Sequence, residues 1–288
     1  MSVVIATRDR RDELLHTLDR LADLPERPPV IVVDNGSTDG GPEAVRAEHP
    51  EVTVLALGTN HGAPARNRGV AAATTPYVAF ADDDSWWAPG ALARAADAFD
   101  THPRLAVVAA RTLVGPDERL DPVSAEMARS PLPPPAANGD GAPLPGPPVL
   151  GFVACAAVVR RDAFLAAGGF SDVVFFMGEE QMLALDLASA GWHLAYLDDV
   201  VAHHHPSSSA RAPEARRALI ARNDLLTTWM RRPLGVVASR TAAMARAALT
   251  DPVQRSALRQ AAGRIPRAVR ERRAIPAAVE RQVRLLGG

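Results

Sequence analysis

Asp82-Asp83-Asp84 is the densest concentration of like charge in the chain, and it follows the apolar run Tyr77-Val-Ala-Phe-Ala. Three neighbouring carboxylates repel one another unless a cation or hydrogen-bond donors offset them. Hard divalent ions such as Mg²⁺ and Mn²⁺ take carboxylate oxygens and commonly share a substrate's phosphates. In extended backbone, residues i and i+2 point the same way, so Asp82 and Asp84 would face one ligand and Asp83 the other side. A purely structural role is equally open, because Asp84 or Ser85 could cap a helix beginning near Pro89.

Asp34 closes a second apolar run, Val30-Ile-Val-Val, ahead of the breaker-rich Asn35-Gly-Ser-Thr-Asp-Gly-Gly. Its carboxylate could accept hydrogen bonds from a base or ribose, with the glycines allowing close backbone approach. An Asx turn would explain Asn35 to Asp39 but leaves Asp34 itself without a role. Glu179-Glu180 opens a helical stretch, where first-turn acids also complement the helix dipole. His203-His-His follows the run His193 to Leu197. Neutral imidazole is an adequate Mn²⁺ ligand, but three adjacent histidines cannot all face one ion. A zinc site built on His203 and His205 lacks further spaced ligands. Trp86, Trp87, Trp192 and Trp229 are candidate sugar-stacking surfaces, although tryptophan is more often packing.

These groups need elements to hold them. Short strands are expected at Val3 to Ala6, Val30 to Val33, Val52 to Leu57, Tyr77 to Ala81 and Leu105 to Ala110. Helical segments fall between them: Leu14 to Leu21, Glu43 to Glu48, Pro64 to Ala73 and Pro89 to Phe99. Such alternation predicts an α/β fold, Rossmann-like, with a mostly parallel sheet covered by helices on both faces. Ligands in such sheets bind where the carboxyl ends of the strands open into loops. Thr7, Asp34 and Asp82 all follow strands, so their loops should meet on one edge. Residues 116–148 are broken by Pro131-Leu-Pro-Pro-Pro and Pro143-Leu-Pro-Gly-Pro-Pro. They read as a long loop inside the domain and a candidate lid. An apolar strand is expected from Val149, then helices near Arg161 to Ala167 and Glu180 to Ala190. Residues 213–288 read as helical.

Four motifs in order resemble the nucleotide-binding half of family 2 glycosyltransferases of the GT-A fold. They are Val3-Val-Ile-Ala-Thr-Arg-Asp-Arg, Val32-Val-Asp-Asn-Gly-Ser-Thr-Asp-Gly, Asn60-His-Gly-Ala-Pro-Ala-Arg-Asn-Arg-Gly and Phe80-Ala-Asp-Asp-Asp. Phe176-Met-Gly-Glu-Glu-Gln is similar to the family's acceptor-side motif, with Glu where an Asp usually follows the first Glu. The resemblance implies an inverting, metal-dependent transfer of a sugar from a nucleotide-diphosphate donor to an acceptor hydroxyl. By that likeness Thr7, with Arg8 beside it, lies near the base and ribose, and Asp34 holds the base. Arg66 and Asn67 belong to the helix beside the nucleotide. Asp82 contacts the ribose with Asp83 alongside, and Asp84 and His203 meet Mn²⁺ or Mg²⁺. Glu180 takes the acceptor proton, with Glu179 also in contention. The likeness extends loosely to Arg222-Asn223 on an acceptor-side helix. A nucleotidyltransferase on a similar sheet and a non-catalytic nucleotide-sugar-binding protein are the alternatives.

Composition narrows the partners. All 32 basic residues are arginine, and they are unevenly placed. Residues 1–206 carry 15 Arg against 28 acids, whereas 207–288 carry 17 Arg against 5 acids. An acidic first part argues against nucleic acid as a partner. A glycan, lipid-linked or small-molecule acceptor is expected instead. The division implies a catalytic domain over 1–206 (1–115 nucleotide-binding, 116–148 the proline-rich loop, 149–206 acceptor-side) and a basic helical extension over 207–288. That extension, with Leu225, Leu226, Trp229, Met230, Leu234, Val236 and Val237 near Arg231 and Arg232, could touch an anionic membrane. The single cysteine, Cys155, sits among small apolar residues and excludes an internal disulfide. No signal peptide or spanning run is evident, so a cytoplasmic setting is expected, with peripheral contact at the inner membrane face as an option and packing of that extension on the catalytic domain as the default.

Overall fold

The computed structural model describes residues 1–135, 143–206 and 213–287. Its first part alternates as expected: β1 (Ser2–Thr7), α1 (Arg11–Ala22), β2 (Val30–Asp34), α2 (Gly41–Glu48), β3 (Thr53–Ala56), α3 (Ala65–Ala72) and β4 (Tyr77–Ala81). β5 (Ser85–Trp87), α4 (Ala91–Thr101) and β6 (Leu105–Val114) follow. β1 pairs in parallel with both β2 and β4, and β2 with β3. Strand alternation divides the core: Val3 and Ile5 pack with Leu14, Leu18 and Leu21 of α1 on one face. Val4 packs with Val33, Val70 and Phe80 on the other. On that second face α3 comes close to the sheet at Gly69, where an added Cβ would lie 2.4 Å from Val4 Cγ1.

Residues 119–128 form regular elements that the neighbouring prolines did not suggest. β7 (Arg119–Leu120) pairs with β6, and α5 (Pro122–Ala128) follows directly. Proline is tolerated at the first helical position because its missing N–H would have no partner there, and the Asp121 side chain caps the helix by accepting from Val123 N at 2.7 Å. Pro131 to Pro135 and Pro143 to Pro147 form no helix or strand, and the residues between them, 136–142, lie outside the described residues. No strand forms from Val149. A 3₁₀ turn, Ala154–Ala156, instead leads into β8 (Ala157–Arg160) and α6 (Arg161–Ala167). β8 inserts antiparallel between β4 and β6, so the sheet is parallel over its first four strands and mixed beyond them.

α7 (Glu179–Ser189) leads to β9 (His193–His204), which runs parallel to β6 with an irregularity between Leu197 and Val201. The end of β9 pairs antiparallel with β5, setting Ser85 opposite His204 and Trp86 opposite His203. The aspartates therefore precede a strand hydrogen-bonded to the one carrying the histidines.

The remaining helices are α8 (Pro213–Arg231), α9 (Leu234–Ala247), α10 (Pro252–Ala262), α11 (Ile265–Arg270) and α12 (Ala277–Leu285). Leu225, Leu226 and Met230 of α8 pack on Val173, Val174 and Met182. Arg231 pairs with Asp186 of α7, and Arg232 with Glu280 at 2.7 Å. The α8 residues that suggested membrane contact thus form a packing face with buried ion pairs, although Leu234 is 71% exposed. Among the described residues no helix is long and apolar enough to cross a membrane.

Candidate active site

A cavity of 640 Å³ opens at the carboxyl ends of β1 and β4, walled by Thr7, Arg10, Arg66, Asp82, Asp83, Asp84 and His204. Each aspartate has its own partner. Arg66 pairs with Asp82. The Thr7 hydroxyl donates to Asp83 at 2.9 Å. Arg10 donates to Asp84 at 2.9 Å and lies 3.4 Å from Asp83, while His204 Nε2 lies 3.4 Å from Asp84. The expectation that Asp83 turns away does not hold, because β4 ends at Ala81 and the aspartates lie in a turn where strand alternation no longer applies. Burial, reinforced by Asp82 and Asp84, pushes Asp83 up to about 7 against the pull of Arg10 and Thr7.

His203, expected to meet the metal, faces the opposite side of β9. Its ring stacks on Trp86 at 5.9 Å and its Nδ1 lies 3.2 Å from Glu118. Alternation along the strand turns His204 inward instead. Burial lowers the basicity of His204, but its hydrogen bond to Asp84 and the surrounding carboxylates outweigh that and leave it raised. Ligand atoms of Asp82, His204 and Cys155 all lie within 4.8 Å of one another. Asp82 and His204 at this spacing, with Asp84 Oδ1 3.4 Å from His204 Nε2, suit a divalent cation. Cys155 is buried, and burial among carboxylates holds its thiol well above its ordinary range, so it is no nucleophile.

Other expected residues are placed less directly. Arg8 lines the cavity, half-exposed, 3.5 Å from Asp9. Asp34 is buried and accepts from the N–H groups of Gly36 at 3.2 Å and Ser37 at 3.1 Å, so it holds its own loop. Asn67 is not in the cavity. Its amide accepts from Phe170 N and donates to Phe170 O, both at 2.9 Å, clamping the turn after α6. None of the four tryptophans lines this cavity, and Trp86 and Trp87 are buried packing. Arg222 and Asn223 act on a loop: Asn223 Nδ2 donates to the carbonyls of Phe176 and Met177, each at 2.6 Å, and Arg222 to Val174 at 3.1 Å. In that loop Phe175 and Met177 both take φ 68°, a costly conformation for side chains of this size, and Asn223 helps to pin it.

The comparisons with known proteins decide the family. Glycosyl transferase family 2 matches residues 2–166, more than half of the chain.

The protein belongs to glycosyl transferase family 2.

It is 29% identical, over 86% of its length and 94% of the other's, to N-acetylglucosaminyl-diphospho-decaprenol L-rhamnosyltransferase of Mycobacterium tuberculosis. A pre-mycofactocin glycosyltransferase of the same organism is 30% identical over 87% of this chain, which spans 56% of that protein. Among solved structures, a Pyrobaculum calidifontis mannosyltransferase complexed with GDP-Man and Mn²⁺ superposes with a TM-score of 0.60 at 20% identity. The match covers 94% of this chain and 86% of that one. Staphylococcus aureus TarS with UDP-GlcNAc gives 0.58 at 19% identity, over 93% and 81%. The fold is GT-A and the chain is a glycosyltransferase, which sets aside the nucleotidyltransferase and non-catalytic alternatives.

In this transferase the two glutamates at the start of α7 occupy different surroundings. Glu179 is 2% exposed, lines neither of the two main cavities, and one of its oxygens has no hydrogen-bond partner among the described residues. Burial, with the charge of Glu180 added, pushes it up to about 8. Glu180 lines a second cavity and is also raised, chiefly by burial. Arg66 is buried between Asp82 and these glutamates. Burial lowers it, but their combined charge holds its guanidinium above the ordinary range.

Because Glu179 has a raised pKa in the folded chain, the native state holds a proton that the unfolded chain releases at lower pH. Stability from this group is therefore intact in acid and is lost as pH climbs from the ordinary carboxylate range to about 8. Glu179→Gln removes that loss. Its unfolding free energy should match wild type near about pH 5 and exceed it near about pH 9, by a margin on the order of a few kcal/mol. Parallel curves at both pH values would show that Glu179 does not titrate in this window.

Proposed function

We propose that the transferase moves a sugar from a nucleotide-diphosphate donor to an acceptor hydroxyl with inversion, assisted by Mn²⁺ or Mg²⁺. The observation that carries this reading is that Asp82, Asp84 and His204 line one cavity and Glu180 a second, with residues of the one segment from Phe175 to Gln181 contributing to both walls. Arg8, Arg10 and Arg66 suit the donor's phosphates. A divalent ion held by Asp82, Asp84 and His204 would neutralise charge on the departing nucleoside diphosphate. Thr7 and Asp34 take the nucleoside side. Glu180, made more basic by burial, takes the proton from the acceptor hydroxyl.

Residues 1–206 form the catalytic unit in this reading, and the basic helices after them brace α7 and the Phe175 to Met177 loop. The name of the rhamnosyltransferase relative puts a lipid-linked glycan among the acceptors to test. A reducing, cytoplasmic setting suits the single buried thiol. Incubation with a panel of nucleoside-diphosphate sugars, followed by anomeric NMR of the product, tests the proposal. Release of nucleoside diphosphate with inverted configuration, abolished by chelator and restored by Mn²⁺, is the expected result. A retained configuration, or full turnover in chelator, would sink the mechanism while leaving the family intact.

A further inference from the structure

We infer that the cavity beside Glu180 receives the body of the acceptor, and that this body is apolar and uncharged; the inference rests on Glu180 being the base. The cavity measures 330 Å³, at the lower end of ligand pockets of about 300–1,000 Å³. Its apolar walls come from Val123 and Met127 of α5, Leu150 and Phe152 ahead of β8, and Leu286 beyond α12. Three parts of the chain far apart in sequence thus meet around one space.

The polar groups of this cavity are as telling. Glu126 and Glu180 bring carboxylates, and the Ser130 hydroxyl is taken up by the carbonyl of Pro148 at 2.6 Å. No arginine lines it among the described residues, although the chain carries 32 basic side chains and four arginines line the neighbouring cavity. A phosphate here would lose its water against apolar walls and face carboxylates with no cation to offset them. An alkyl or aryl group gains by leaving water in proportion to the area it buries.

One continuous segment lines both cavities in turn. Phe175, Phe176 and Met177 line the charged cavity, and Gly178, Glu180 and Gln181 line the apolar one. A hydroxyl on an acceptor seated against Met127 and Phe152 would therefore reach the partition on which Glu180 stands. Any phosphates on the acceptor must stay outside this cavity.

Two matched acceptor panels test this: neutral phenyl and alkyl glycosides, and the same glycosides carrying a phosphate on the aglycone. The readout is nucleoside diphosphate released above donor hydrolysis without acceptor. Neutral members should accelerate release, and their phosphorylated counterparts should lose about tenfold or more in kcat/KM. Val123 is 43% exposed, so Val123→Arg places a cation at the rim without disturbing the core. It should raise KM for neutral acceptors about tenfold. Equal use of both panels, no acceleration by any neutral member, or an unchanged KM in Val123→Arg would overturn the inference. Loss of donor binding and donor hydrolysis in the wild type would count against the proposed function instead, which separates the two failures.

Discussion

Glu180→Gln should lower sugar transfer by about 10³-fold while leaving nucleoside-diphosphate binding unchanged. The carboxamide keeps the shape of the side chain but cannot take the acceptor proton. Glu180 lines the apolar cavity and its basicity is raised by burial, both useful in a base that works near neutral pH. A base acts when deprotonated, so kcat/KM in the wild type should rise with pH through a midpoint above the ordinary carboxylate range, and that limb should vanish in the variant. Glu179→Gln is the control: Glu179 is buried away from both cavities, so its loss should be much smaller. If Glu179→Gln were the dead variant and Glu180→Gln active, the two roles would be reversed.

Asp84→Ala should cost about 10²-fold or more in transfer and remove the metal dependence of nucleoside-diphosphate binding seen by calorimetry. Asp84 stands between Arg10 and His204, so the substitution leaves Arg10 in the phosphate region but deletes an oxygen ligand. His204→Ala should share the phenotype in weaker form, because imidazole adds one ligand to a set led by carboxylates. His203→Ala should leave metal dependence intact, since that ring lies on Trp86 beside Glu118. Should His203→Ala prove the damaging substitution, the inward assignment of His204 would be wrong. Nucleotide binding that ignores both Mn²⁺ and Asp84→Ala would remove the metal from the proposal.

Much of the architecture was legible in the chain because its signals are local. Val3 to Ala6, Val30 to Val33 and Tyr77 to Ala81 are apolar runs ended by polar turns, and each became a strand within a residue of its expected bounds. Leu14, Leu18 and Leu21 recur at helical spacing and all face the sheet. The loop expected over residues 116–148 contains β7 and α5, because prolines that break a helix interior do not prevent a helix from starting. Pro122 is compatible with a helix start, and Asp121 just before it was the cap signal that could have revealed α5. The antiparallel insertion of β8 was not legible, since a short apolar strand carries no mark of its direction.

Residue types and order by themselves determined which groups could do chemistry here: the aspartates after β4, the glutamates opening α7 and the histidines ending β9. The tertiary structure decided which of them share one cavity. Pairing of β5 with β9 turned His204, rather than His203, toward the aspartates, because alternation fixes opposite faces but only a partner strand says which face is inside. The turn beyond Ala81 put Asp83 beside Thr7, and packing of α3 on α6 committed Asn67 to Phe170. The apolar cavity joins α5, the approach to β8 and the end of the chain, so no local stretch could have announced it. Local pattern is set by covalent neighbours, whereas a site is assembled by burial and pairing across distances that sequence spacing does not encode.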